Sequence, residues 1–211
     1  MQASANYGIF KVVNYTITFF IIVLNLAGCR SDYSPKPRGY FKIALPQRGY
    51  QHFNNSECPF SFDYPKYGKI NRDTIFFDTI PDNPCWLNIS FPLLNGNLYL
   101  SYKRIGGKNS LDRLINDSHE LTYKHTVKAD YINENLLSTP NHVHGILYEV
   151  GGNAASEIQF FVTDSVEHFL RGSLYFYNTP NADSIAPAVN FLKPDIIELI
   201  RTLRWKESDN E

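Results

Sequence analysis

The chain has 211 residues, with 20 Lys and Arg against 21 Asp and Glu, and its formal net charge is −1. A chain so close to neutral lacks the basic field that nucleic acid binding requires, so we expect no nucleic acid partner. Aromatic residues make up 15% of the chain, and the 14 Tyr and 15 Phe favour the half-buried surface of a β-sheet. The composition therefore predicts a sheet-rich domain.

Near the N-terminus, an apolar run densest from Phe19 to Leu24 ends in Leu26-Ala27-Gly28-Cys29. A short apolar run followed by small residues and a cysteine is the pattern of a lipoprotein signal peptide, and Lys11 supplies the positive charge that stays on the cytoplasmic side. A transmembrane anchor would need about 20 predominantly apolar residues, and a plain signal peptide would not need a cysteine at this position. The sequence predicts a lipoprotein signal peptide over residues 1–28 and lipidation of Cys29.

Acylation of Cys29 would attach the protein to a lipid membrane. A single acyl chain such as palmitate binds a bilayer only marginally, whereas the two or three chains of a bacterial lipoprotein hold it permanently. Residues 29–39 contain two prolines and no apolar periodicity, so we expect a lipidated, extended tether with a reach of about 30 Å. Residues 40–211 then form a single domain in the cell envelope that faces the periplasm, and the choice between inner and outer membrane stays open.

Strand-like alternation follows the tether. The segments 58–64 and 85–91 alternate apolar with small or polar residues, and both place their cysteine in phase with the apolar positions. We expect a further strand at 74–79 between them and an edge strand at 40–45. An antiparallel meander of 58–64, 74–79 and 85–91 would bring the two cysteines to the same end.

Cys58 and Cys85 are the two cysteines that remain once Cys29 is acylated. Outside the cytoplasm such a pair is a candidate disulfide, with a stabilising contribution of roughly 3–4 kcal/mol. Two buried thiols are the alternative. Metal binding is a poorer one, because no matching histidines accompany the pair.

The middle of the chain predicts a strand at 97–104, stopped by Gly106-Gly107, and then a helix. Asn109 or Ser110 can cap that helix, whose apolar face carries Leu111, Leu114, Ile115 and Ser118. Strand patterns return at four places, which are 130–136, 143–150, 157–163 and 169–177.

The C-terminal part reads as two helical segments. Asp183 or Ser184 can cap the first, and Pro194 suits the first turn of the second, whose apolar stripe is Ile196, Leu199, Ile200 and Leu203. The order of strands, helix, strands and helix predicts an α+β domain in which an antiparallel β-sheet is packed with two helices. We expect an arrangement similar to a Mog1/PsbP-type sandwich.

Three motifs carry residue types used in catalysis or ligand binding, and we interpret each as structural. His142 and His144 would share one face of a strand, but no third ligand stands nearby, so we expect no metal site. Asp164, Ser165 and His168 are too close along the chain for a hydrolase triad and are typical of a turn. Residues 151–156 lack the ending of a phosphate loop and predict a hairpin turn.

Two polar clusters are candidate partner-binding surfaces, since turns on a rigid sheet often supply recognition residues. The first contains Lys124, His125 and Lys128, with Asp130 beside them, and the second contains Asp164, His168 and Arg171. Structural pairing is the alternative for both. We expect no catalytic residue and no cofactor.

Several blocks of sequence closely resemble the gliding motility lipoprotein GldD family of Bacteroidetes. They are Pro35-Lys36-Pro37-Arg38-Gly39-Tyr40-Phe41, Cys58-Pro59-Phe60, Leu121-Thr122-Tyr123-Lys124-His125-Thr126, Gln159-Phe160-Phe161-Val162-Thr163-Asp164-Ser165, His168-Phe169-Leu170-Arg171-Gly172-Ser173-Leu174-Tyr175-Phe176, Asp195-Ile196 and Leu203-Arg204-Trp205-Lys206. The resemblance implies a membrane-attached envelope component required for gliding motility, whose partners belong to the gliding and type IX secretion machinery. It implies no enzymatic activity.

The functional expectation is thus a non-enzymatic lipoprotein that binds or stabilises other parts of that machinery. Two alternatives stand beside it. An envelope enzyme of the hydrolase type would use His168 or His125 with a neighbouring carboxylate, and a ligand-binding lipoprotein would need an open apolar cavity within the aromatic sheet.

Overall fold

The structure is a computed structural model of the protein, and it describes Tyr15 and residues 44–72, 83–177 and 181–206. The signal peptide and tether expected over residues 1–39, and the strand expected at 74–79, lie outside these ranges. Within them the chain forms ten strands and two α-helices, in the order β1 (Tyr50–Asn54), β2 (Phe60–Pro65), β3 (Lys69–Arg72), β4 (Leu87–Phe91), β5 (Gly96–Arg104), α1 (Leu111–Tyr123), β6 (Ala129–Ser138), β7 (His144–Gly152), β8 (Ile158–Thr163), β9 (His168–Phe176), α2 (Ala182–Thr202) and β10 (Arg204–Trp205). Neither of these helices combines the length and apolar character that a membrane span requires.

A seven-stranded antiparallel sheet forms the centre of the domain, with the strand order β3-β4-β5-β9-β8-β7-β6. The strands predicted from residue 97 onward are confirmed as β5 to β9. Helix α1 covers one face of the sheet, where Leu114 packs with Tyr148, Phe161 and Phe169. Ser110 caps α1 as predicted, because its side chain accepts a hydrogen bond from the N–H of Arg113.

A three-stranded antiparallel sheet, with the order β1-β2-β10, and helix α2 share one core with the other face of the large sheet. Phe60 and Phe62 of β2 lie in this core with Leu98 of β5 and Leu192 of α2, and all four side chains are buried. The predicted fold class, an α+β domain of antiparallel strands with two helices, is confirmed.

The predicted meander of 58–64, 74–79 and 85–91 is wrong, because β2 and β4 belong to different sheets. Strand β1, which the sequence analysis did not recognise, is paired along its whole length with β2, from Tyr50↔Pro65 to Asn54↔Ser61. The other neighbour of β2 is β10, at the far end of the chain. The edge strand expected at 40–45 is also wrong in its described part, since Ala44 and Leu45 are not in a strand.

The two predicted C-terminal helical segments are one continuous helix, which Asn181 caps through its side chain. Pro187 and Pro194 both lie inside it, and an internal proline removes a backbone hydrogen bond at a cost of about 3 kcal/mol. Each fully buried Leu or Ile contributes roughly 1.5–3 kcal/mol. A single stripe of buried residues runs along the helix and offsets both prolines, and it consists of Ile185, Ala188, Leu192, Ile196, Leu199 and Ile200.

Candidate functional site

The first predicted cluster lies on the surface after helix α1. Lys124 forms an exposed ion pair with Glu120, one turn earlier, with Nζ and Oε1 3.2 Å apart. Lys128 and Asp130 are exposed at the start of β6. The backbone of His125 belongs to a 3-10 turn, Lys124–Val127, and its side chain lies outside the described part. This surface is accessible, and its role as a partner-binding site stays a prediction.

Asp164 holds the turn between β8 and β9, which agrees with our interpretation of that motif. Its Oδ1 accepts hydrogen bonds from the N–H groups of Val166, Glu167 and His168 at 3.0, 2.9 and 2.9 Å. Burial alone would raise the pKa of this carboxyl, but the three hydrogen bonds outweigh burial and lower the pKa. Asp164 is therefore a structural acceptor.

The second predicted cluster does not form one surface, because two of its members, His168 and Arg171, lie on opposite faces of β9. His168 and Arg171 are three residues apart on one strand, so their side chains lie on opposite faces of the sheet. His168 is only 4% exposed, and Arg171 is half-buried on the face that α1 covers. The prediction that Asp164, His168 and Arg171 make one partner-binding surface is wrong.

His168 instead joins the two sheets. The Tyr102 hydroxyl lies 2.8 Å from His168 Nδ1, and the Trp205 ring stacks on the imidazole with centroids 5.1 Å apart. Tyr102 belongs to the large sheet and Trp205 to the small one, where the indole contacts Phe60 edge-on. Burial, followed by the nearby Glu167 carboxylate, raises the pKa of Tyr102 to about 12. The phenol therefore stays protonated at neutral pH.

A disulfide between Cys58 and Cys85 crosses the same boundary. The two Cα atoms are 5.5 Å apart, and both side chains are buried, as the alternation of their segments predicted. Cys58 comes just before β2 in the small sheet, and Cys85 just before β4 in the large one. The bridge therefore fixes one end of the sandwich.

Asp195 of α2 is a buried charge that the sequence analysis did not single out. Its carboxylate accepts hydrogen bonds from the hydroxyls of Tyr50, at 2.7 Å, and Tyr67, and Arg48 Nε lies 3.6 Å from Oδ1. Arg48 also donates to the Phe191 carbonyl at 2.8 Å. The hydrogen bond from Tyr50 to Asp195, followed by burial, raises the pKa of Tyr50 to about 12. Burial, followed by the hydrogen bond from Tyr67 to Asp195, raises the pKa of Tyr67. This network binds the beginning of the domain to α2.

A second buried network lies beneath α1. Gln159 Oε1 accepts from Arg171 Nη2 at 2.6 Å and from Thr122 Oγ1 of α1 at 3.3 Å. Burial lowers the pKa of the Arg171 guanidinium. On the same face, Glu157 has a buried carboxylate without a hydrogen-bond partner in the described structure, and burial raises its pKa to about 7.

A polar cleft of about 540 Å³ opens where the small sheet meets the end of α2. His52 Nδ1 lies 2.7 Å from Asp63 Oδ1 at one wall, and Arg201 and Arg204 lie at another. Asn141 donates to the carbonyls of Arg201 and Leu203, both at 3.1 Å, and so caps the helix end. These residues come from four distant parts of the chain, so their spacing carries no signal that would have revealed the cleft.

His142 and His144, which would share a face only if both lay on one strand, do not belong to the same strand. His142 lies in the turn before β7 with a φ of 57°, and only His144 belongs to the strand. Within the described ranges, no three His, Cys, Asp or Glu side chains come together as metal ligands do.

The solution structure of cyanobacterial PsbP (CyanoP) from Synechocystis sp. PCC 6803 aligns with 82% of this chain and 99% of that chain, with 9% identity and a TM-score of 0.44. None of the curated proteins matches the chain in sequence. The family model described as gliding motility lipoprotein GldD matches residues 30–205.

The fold and the buried networks define a disulfide-bonded α+β domain in which Asp195, His168 and Gln159 hold the layers together. The family match covers most of the chain, and it includes every strand and helix described above. The chain belongs to the gliding motility lipoprotein GldD family. It is thus a lipoprotein of the cell envelope with a role in gliding motility.

Proposed function

We propose that this protein is a non-enzymatic, lipid-anchored component of the gliding and type IX secretion machinery that binds or stabilises its other envelope proteins. The observation that carries the proposal is the family match over residues 30–205. Acyl chains on Cys29 attach the protein to the membrane. The tether at residues 29–39 lets the domain meet its partners on the periplasmic side.

The use of the polar side chains supports binding over hydrolysis. His168 Nδ1 is hydrogen-bonded to the Tyr102 hydroxyl, and Asp164 Oδ1 accepts hydrogen bonds from three backbone N–H groups. A catalytic base must reach a substrate proton, whereas these groups are engaged inside the fold. A ligand-binding role has less support, because six of the seven residues that line the cleft are charged or polar, whereas a lipid pocket is lined mainly by apolar residues.

Deletion of the gene tests the proposal. We expect the deletion strain to stop spreading on agar and to secrete less adhesin to the cell surface, with both restored by the full-length chain. The double variant His168→Ala with His125→Ala addresses catalysis, provided that its folding is verified. Normal spreading and secretion without the protein would contradict the proposal. Full function of the normally folded double variant would exclude catalysis by either histidine.

A further inference from the structure

Strand β6 forms one edge of the seven-stranded sheet, and its outer side has no strand partner in the described structure. It is ten residues long, Ala129–Ser138, and most of its side chains are exposed. The opposite edge, β3, has only four residues and carries Lys69 and Arg72. Proteins commonly protect sheet edges with short strands, lysines and prolines. Strand β6 contains no Lys, Arg or Pro, and its irregularity of register lies at the first residues, between Ala129 and Tyr131. Residues 132–138 therefore form a regular edge without basic residues or proline.

The register shows which backbone groups of β6 are free. The N–H of Val150 in β7 donates to the Glu157 carbonyl on the β8 side. Backbone groups alternate in direction along a strand, so those of Glu149 are directed to β6, where Glu149 pairs with Asn133. The N–H and C=O groups of Ile132, Glu134 and Leu136 are therefore directed away from the sheet.

The side chains of the same three residues define what a docked strand would meet. Leu136 is 87% exposed, and Ile132 is half-buried against the cluster under α1. Glu134 lies between them and is exposed, with one carboxylate oxygen, Oε1, accepting a hydrogen bond from the Tyr123 hydroxyl at 2.9 Å and lying 3.5 Å from His119 Nε2. Asp130 adds a second negative charge to the strand. Cross-strand neighbours prefer apolar opposite apolar and opposite charges together. The edge thus fits an extended segment with a Lys or Arg between two apolar residues at alternate positions.

A second copy of this chain fits the edge poorly. In a pair of β6 strands, the outward-directed N–H and C=O groups of one copy must face those of the other. An antiparallel copy can therefore pair in two registers that share the greatest overlap. One places Glu134 opposite Glu134 of the copy, and the other places Glu134 opposite Ile132. The first opposes like charges and the second opposes a charge to an apolar side chain, and both are unfavourable.

We propose that the β6 edge is the docking site of this lipoprotein, and that a partner protein adds to it an extended strand in which a basic residue alternates with apolar ones. This mode of recognition takes its affinity from backbone hydrogen bonds and its specificity from alternate side chains. The inference rests on the proposed function, because it assumes that the lipoprotein acts by binding another envelope protein.

Photo-crosslinking in intact cells tests this docking site. A benzoylphenylalanine at Asn133, in the full-length chain, should give one discrete adduct, whereas the same probe at the exposed Val166 should give none. Leu136→Pro should lower the adduct at Asn133 about tenfold, because it removes an outward N–H and blocks the approaching strand. Leu136→Ala removes the same side chain but keeps the N–H, so it should lower the adduct far less. Mass spectrometry should map the adduct to a segment with the apolar-basic-apolar alternation.

Glu134→Lys provides a second test, which decides the matter if Leu136→Pro does not fold. It should lower the adduct strongly, whereas Glu134→Asp should retain it. An adduct with a second copy of the chain, no adduct at Asn133, or an adduct unchanged in the Pro and Lys variants would overturn the docking site. If the deletion strain fails to spread and these variants restore it fully, only the docking site is wrong. If the deletion strain spreads normally, the proposed function itself is wrong.

Discussion

At the residue scale, Asp195 is a buried carboxylate that three other side chains contact. Removing its charge leaves the hydroxyls of Tyr50 and Tyr67 with a weaker acceptor and Arg48 without its carboxylate. We expect Asp195→Asn to lower the free energy of unfolding by about 1–3 kcal/mol, measured by urea denaturation. Glu198→Gln is the matched control in the same helix, because it removes an exposed ion pair with Arg201 and should cost about 0.5 kcal/mol or less. Equal effects of the two changes would show that the Asp195 network contributes nothing specific.

Glu157 makes stability depend on pH. Burial raises its pKa from 4.5 to about 7, so the folded chain keeps a proton that the unfolded chain releases above its ordinary pKa. Glu157 therefore makes its full contribution to the free energy of unfolding below about pH 4.5, and that contribution is lost as the pH rises to about 7. We expect Glu157→Gln to flatten the fall of Tm between these values and to be more stable than the parent at pH 8.

The exposed Glu120 supplies the control for that measurement, because Glu120→Gln changes the same type of residue in its ion pair with Lys124. Its pH profile of Tm should match the parent's. A Glu157→Gln profile that also matches the parent's would rule out the buried carboxylate as the titrating group.

At the element scale, the disulfide connects the ends of two strands that belong to different sheets. We expect the exported protein, unfolded in denaturant without a reductant, to contain no thiol that reacts with Ellman's reagent. We expect Cys58→Ser with Cys85→Ser to lower the free energy of unfolding by about 3–4 kcal/mol. Reduction with dithiothreitol should lower the stability of the parent and leave the double variant unchanged. Two reactive thiols in the denatured, unreduced protein would contradict the bridge.

The elements show where local sequence patterns predict structure and where they do not. The alternation in β5 to β9 and the Ser110 cap of α1 are local signals, and both predicted the right elements. The proline at 194 is also a local signal, but the buried stripe from Ile185 to Ile200 outweighs it, so the helix continues. Strand β1 has a mixed polar and aromatic sequence and exists because β2 pairs with it.

The functional residues were harder to predict for the same reason. Cys58 and Cys85 were identified because their phase within each segment is local. Tyr102 and His168 are 66 positions apart, and Asn141 in the cleft donates to carbonyls 60 and 62 positions later, separations that no spacing rule detects. Asp195 did leave a signal, since it is a charged residue inside an otherwise apolar helical stripe, between Leu192 and Leu199.

At the scale of the whole molecule, the described domain combines a tightly held sandwich with the accessible β6 edge of its large sheet. The disulfide and the Asp195 and His168 networks hold the layers together, while Tyr131 and Leu136 stay 56% and 87% exposed along β6. A rigid domain with an accessible edge suits a binding component of a larger assembly. Attachment to the membrane through Cys29 would restrict that edge to partners near the bilayer surface.

The most direct test of this account is the rate at which colonies of a deletion strain spread when complemented by the protein with and without its lipid. One version carries the natural lipoprotein signal, and the other carries Cys29→Ser behind an ordinary cleaved signal peptide, with export of both verified by immunoblot. We predict that only the acylated chain, identified by its intact mass, restores spreading. Full spreading with the unacylated chain at equal abundance would contradict the claim that this lipoprotein acts from the membrane.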